Sequence, residues 1–211
     1  LREMETVFEQ NGVETECVQI GSKPVRGCIA CNYCVEHDKC VFDDEVNTLA
    51  EKFKAADGLV LASPVYFASA NATLVACLDR LFYSTSFDKT MKVGASVVCA
   101  RRGGNTATFD ALNKYFTISG MPIASGQYWN SIHGCTPGEA EADEEGKQTM
   151  RVLARNMSFL MKSIALGSNL AFRKRKNGFL LILSGKAGFL IISNSYSQFL
   201  KQKQNRSMKY E

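Results

Sequence analysis

The sequence predicts an α/β chain built on a doubly wound parallel sheet, and three observations carry that prediction. The run at 59–62 is apolar without alternation, which suits a strand buried on both faces. After it, Leu74, Cys77, Leu78 and Leu81 recur at three- and four-residue steps, the stripe of a helix. Strand-like and helix-like stretches then alternate along the chain, an order that gives parallel sheets.

Taken in order, residues 1–10 set Met4, Val7 and Phe8 on one helical side and stop at Asn11-Gly12. Residues 13–20 roughly alternate and predict a strand. Residues 21–40 form a long cysteine-bearing loop, and loops of that length tend to be functional. Asp43 and Asp44 supply an N-cap and a first-turn acid to a helix facing inward through Val46, Leu49, Ala50 and Phe53. Gly58 introduces the central strand. Ser63-Pro64 should end it, because proline cannot donate to a ladder and pushes its predecessor to extended geometry. A helix over 71–83 follows. A strand over 92–100 leads through Arg101-Arg102-Gly103-Gly104-Asn105-Thr106 into a helix over 107–118. A short strand at 121–128 comes next. The last helix, over 144–166, turns Met150, Leu153, Met157, Leu160, Met161 and Ile164 inward. No internal repeat is present.

With 211 residues and 45% apolar composition, the chain can bury one full core. The formal charge of +4 is unevenly spread. Residues 1–167 carry 16 Lys and Arg against 20 Asp and Glu, whereas 168–211 carry nine against one. The main domain is therefore 1–167, and its charge argues against nucleic-acid binding. The basic tail holds an apolar stretch of about fourteen residues interrupted by Lys186, short of the roughly 20 a spanning helix needs. A hairpin at the sheet edge, a membrane-surface segment and a poorly ordered appendage all remain open for it.

Eight cysteines, scattered or clustered without a disulfide framework, indicate reduced thiols and a cytoplasmic protein. Cys28, Cys31, Cys34 and Cys40 form a C-x2-C-x2-C-x5-C run. Steps of three place successive sulfurs around one point, and the longer last step lets the chain close over the far corner. Compact runs of this type supply the four thiolates of a [4Fe–4S] cluster. Zinc, which usually takes two ligand pairs with a longer spacer, and free thiols beside a redox cofactor are the competing readings. His37 lies inside the run and reads as a substitute ligand or an exposed residue.

A second constellation joins Ser63, Pro64, Val65, Tyr66 and Phe67 to Arg101, Arg102, Gly103 and Gly104. Both segments follow strands, and in a doubly wound sheet such carboxyl ends line one crevice. An isoalloxazine ring needs flat apolar contacts and backbone polar groups at its edge, which this pair offers. Gly103 and Gly104 permit close backbone approach. The arginines could offset charge on a reduced flavin or meet nicotinamide phosphates. The competing reading is an ordinary strand-to-helix turn with two solvated arginines. No Ser/His/Asp or paired-carboxylate set suggests hydrolysis.

The cysteine run at 27–40, Ala56-Asp57-Gly58, Ser63-Pro64-Val65-Tyr66-Phe67 and Leu78-Asp79-Arg80 together resemble the NADPH-dependent FMN reductase-like flavoproteins, most closely their iron–sulfur flavoprotein branch. The resemblance covers about 1–166. It implies a flavodoxin-like fold, bound FMN, a homodimer or tetramer, and electron transfer from NAD(P)H to an acceptor, a small molecule or a protein. Pro64, Val65, Tyr66 and Phe67 would contact the flavin ring, with 101–104 on its other side, and the four cysteines match cluster ligands. A non-enzymatic electron carrier or cysteine-based redox sensor is the rival reading. The family's first strand and phosphate loop precede its first helix, and this chain starts after them. A first strand is therefore expected to be missing, and no residue here is assigned to the FMN phosphate.

Overall fold

A computed structural model describes residues 1–20, 24–169, 179–183 and 189–193. The chain divides into two compact units, Leu1–Ala165 and Leu166–Glu211. In the first unit the elements run α1 (Arg2–Gln10), α2 (Tyr33–His37), α3 (Glu45–Ala55), β1 (Gly58–Tyr66), β2 (Ser69–Ala70), α4 (Ala72–Tyr83), β3 (Val93–Ala100), α5 (Asn105–Ile118), β4 (Ser131–His133) and α6 (Glu139–Ala142). The last helix, α7, spans Glu144–Asn169. The sheet order is β2-β1-β3-β4, with β1, β3 and β4 parallel.

Helices cover both faces, so the doubly wound α/β expectation holds. On one face Val46, Ala50 and Phe53 of α3, Leu74, Cys77, Leu78 and Leu81 of α4, and Leu112 and Phe116 of α5 pack against Leu61 and Val98. On the other, Met4, Val7 and Phe8 of α1 meet Met150, Leu153, Ala154 and Met157 of α7 over Val93, Ala95 and Val97. The alternation of β3 between the two clusters is the period-two geometry of a strand. Gly94 is fixed by packing: a Cβ there would lie 2.5 Å from the Phe116 ring. Side chains cap two helix starts, the first of them where the sequence placed it. Asp44 accepts from the Val46 N–H, and Asn71 from those of Thr73 and Leu74.

Three expectations are corrected. Residues 13–20 enter no ladder among the described residues, because alternation marks a strand only where a partner lies alongside. Residues 121–128 make a single bridge, Gly94 to Ile123, and the edge strand forms instead at Ser131–His133. There the Val98 N–H donates to Asn130 O, and the buried Asn130 amide donates to Ser96 O. Proline does not end β1 either. The parallel ladder with β3 closes at Pro64 opposite Cys99, and the strand runs on by changing partner, pairing Val65 with Ala70 and Tyr66 with Ser69.

In the second unit, β5 (Phe179–Leu183) and β6 (Phe189–Ser193) pair antiparallel as a two-stranded sheet of their own. The alternatives left open for the tail fall mostly on residues outside those described, Lys186 and the flanking basic residues among them. Among the described residues no helix is long and apolar enough to cross a membrane.

Candidate functional site

Two segments draw together at the carboxyl ends of β1 and β3. Beyond Pro64, β1 and β2 form a hairpin whose two-residue turn, Phe67-Ala68, holds both residues at positive φ, +50° and +58°. Two-residue hairpins favour this geometry because it matches strand twist, yet Asn and Gly normally occupy it. An aromatic residue and an alanine held there are strained, and strain of this kind clusters at functional sites. Phe67 is fully exposed, and Tyr66 is exposed beside it. Ser63, by contrast, is buried. Its hydroxyl donates to Pro64 O at 2.8 Å and accepts from the Asn71 N–H at 2.9 Å, which ties the base of the hairpin to the start of α4.

The loop after β3 meets this hairpin directly. Gly104 sits at φ +90°, and a Cβ on it would lie 2.8 Å from Ala68 Cα and 3.2 Å from Val65 Cγ1. Only glycine permits both the dihedral and the approach. Arg101, Arg102 and Gly103 stand exposed at the rim. The loop after β4 closes the same edge: Gly134 N–H donates to Ala100 O. In that loop the Cys135 and Thr136 N–H groups and the Thr136 hydroxyl hold the Glu139 carboxyl below its ordinary range, with Arg101 adding to the effect. His133 ends β4 opposite Ala100, while Tyr128 and Trp129, both exposed, lie against each other at 5.0 Å.

The four cysteines of the run come to a second place. Cys28, Cys31, Cys34 and Cys40 line one pocket with Phe42, Arg80 and Tyr83. Among the described residues no group of three or more His, Cys, Asp or Glu is arranged to hold a metal ion. Three residues other than glycine hold positive φ in this loop: Ala30, Asn32 and Asp38, at 53°, 58° and 51°. Burial pushes the Cys34 thiol up, and the neighbouring Cys31, Cys28 and Cys40 push it further. His37 is exposed, stacked on Tyr33 at 3.8 Å, with its Nδ1 2.9 Å from Tyr33 O.

The loop is anchored by residues that the sequence reading did not place in the site. Arg80, 1% exposed, forks onto Asp44 with Nη1–Oδ2 at 2.7 Å and Nη2–Oδ1 at 2.8 Å. Its Nε–H donates to Cys40 Sγ at 3.2 Å, and Nη1 also donates to Arg26 O. Asn47 clasps the same turn: its carbonyl accepts from the Cys40 N–H, and its amide donates to Cys40 O and Phe42 O. The signal was present in the sequence. Arg80 lies three residues after the buried Cys77, so it sits on the inner side of an apolar helix, where an arginine requires a partner.

Residues 1–134 match the NADPH-dependent FMN reductase family. The chain is 32% identical to an iron–sulfur flavoprotein of Methanocaldococcus jannaschii, over 78% of this chain and 89% of the relative. It is 35% identical to an iron–sulfur flavoprotein of Methanosarcina thermophila, over 75% and 84%. Among solved structures it is similar in fold to a flavodoxin from the domain Archaea, with a TM-score of 0.51 at 11% identity over 76% of this chain and 87% of that one.

Proposed function

Because the chain belongs to the NADPH-dependent FMN reductase family, we propose that it is an FMN-dependent oxidoreductase drawing electrons from NAD(P)H, with a [4Fe–4S] cluster on the way to a small-molecule or protein acceptor. The observation that carries the flavin assignment is the contact of Gly104 with Ala68. It joins two neighbouring parallel strands at the edge where open α/β sheets bind ligands, and it leaves two aromatic side chains unburied there. FMN, when bound, supplies the hydride-accepting ring and can release electrons onward. Pro64, Val65, Tyr66 and Phe67 would give flat apolar contact to that ring. Arg101, Arg102, Gly103 and Gly104 would bring positive charge and bare backbone to its other side. Ser63 serves by holding the hairpin shut. No side chain here has to move a proton, since the chain's task is to orient the two rings and exclude water.

The donor set fits a cluster. Four cysteines border one pocket, Ala30 N–H reaches Cys28 Sγ at 3.4 Å, and a guanidinium N–H reaches Cys40. Such hydrogen bonds to sulfur are what protein frames offer iron–sulfur centres. A cubane spreads its ligands over separate corners, whereas zinc, with Zn–S near 2.3 Å, would draw the sulfurs to about 3.8 Å from one another. The spacing of the run, with a third cysteine at a three-residue step, supports the cluster over zinc, which usually takes two ligand pairs. Helix α4 links the two places: it begins at the hairpin and carries Arg80 to the thiols about 12 Å further along its axis, at 1.5 Å per residue.

The same reading makes the protein a cytoplasmic homo-oligomer. Anaerobically purified, FMN-loaded protein tests the proposal through NAD(P)H oxidation, iron and acid-labile sulfide content, and sedimentation. Turnover with flavin and iron present is expected. Retained flavin without nicotinamide oxidation would instead make the protein an electron carrier or redox sensor.

A further inference from the structure

Resting on the cluster reading above, we propose that Arg80 is a positioning residue for the iron–sulfur centre, its Nε–H bonding the Cys40 sulfur and holding the centre's reduction potential up. The side chain's three nitrogens are divided between two tasks. Both Nη atoms are taken by the Asp44 fork, and Nη1 also reaches Arg26 O; that leaves Nε aimed at Cys40 Sγ at 3.2 Å. A planar guanidinium can hold a carboxylate at one end and present a fixed N–H at the side, which a lysine ammonium cannot do. The group is buried, so water does not screen it, and it cannot swing away while Asp44 is paired.

The pocket is consequently asymmetric. Cys28 and Cys31 are exposed, while Cys40 is half-buried and takes a charge-assisted N–H bond beside a fixed cation. Reduction adds negative charge to a centre already bearing four thiolates. A cation and an N–H donor at one sulfur favour the reduced form, and hydrogen bonds to sulfur are among the levers that set such potentials. Arg80 also faces the Phe42 ring at 5.1 Å, so its unbonded side meets an aromatic face rather than solvent.

The test uses the full chain purified anaerobically. Iron and acid-labile sulfide are measured first; wild-type protein without them removes the cluster reading and this inference with it. In loaded protein, Arg80→Lys keeps the charge and loses the fixed Nε–H. A potentiometric titration followed by electron paramagnetic resonance should then show about a tenfold smaller reduced-to-oxidised ratio at a given potential, which for one electron is 59 mV. An unchanged potential at full iron content overturns the role of Arg80 and leaves the cluster reading intact. Should Arg80→Lys not load, wild-type protein carrying 15N-arginine decides: pulsed resonance of the reduced centre should show a 15N coupling, and its absence overturns the inference.

Discussion

In the cysteine loop, Ala30, Asn32 and Asp38 hold positive φ while side chains fasten the segment: Arg80 forked on Asp44, and Asn47 clasped around Cys40 and Phe42. In the crevice hairpin, Phe67 and Ala68 hold the same kind of dihedral, but the fastening is backbone: a two-residue ladder, a strand that changes partner after Pro64 and a glycine pressed against Ala68. One region therefore depends on charge and can be undone by deleting it. The other depends on the absence of atoms and is undone by adding one. Both leave side chains exposed, and the contrast shows that a strained loop can be kept by either means.

The largest expected effect strikes the charge-fastened side. Asp44→Ala strands a buried guanidinium and removes the cap of α3, and should cost about 3 kcal/mol in urea unfolding, the low end for breaking a buried pair. On the backbone-fastened side, Gly104→Ala forces a Cβ against Ala68 at a dihedral alanine resists. It should cost about 2 kcal/mol and weaken FMN binding at least about tenfold by fluorescence titration. A matching loss in Asp44→Ala would blur the contrast; intact flavin affinity there sharpens it.

Acid separates the two regions as well. Arg80 hydrogen bonds, against the opposing pull of burial, hold the Asp44 carboxyl below its ordinary range. Its folded-state pKa thus lies below the unfolded value of about 3.9. The stability it contributes is complete above that value and fades as pH falls through the lower folded one. Stability against pH should accordingly bend downward in acid, by at most about 1.4 kcal/mol per unit for this one proton, and Asp44→Asn should flatten the bend. The smallest effect has the opposite sign. Phe67→Asn suits the left-handed dihedral better and removes only an exposed ring, so thermal unfolding should be unchanged or improved by up to about 1 kcal/mol, while flavin binding falls.

Much of this was legible in the sequence, because local signals and global packing agree over most of the chain. The cap at Asp44, the strand ending at Ala100 and the stripes of α4 and α7 all read directly. Where reading failed, the deciding pairing left no mark in the local pattern. Pro64 signals a stop, and nothing near it reveals that Val65 and Tyr66 have Ser69 and Ala70 waiting. The pattern at 121–128 is strand-like, yet β3 accepts it only at Ile123 and takes up Ser131–His133 instead. Both candidate segments were found by residue type. The contact of Gly104 with Ala68 and the bond from Arg80 to Cys40 span 36 and 40 residues, and spacing carries no record of such distances.

Pro64 sits where one strand is shared by two ladders, level with Cys99 on the parallel side and one residue before the antiparallel pairing begins. Lacking an amide hydrogen, it leaves a gap in the stitching at the seam. The hairpin and the parallel frame are therefore joined at a residue that donates no main-chain hydrogen bond to either.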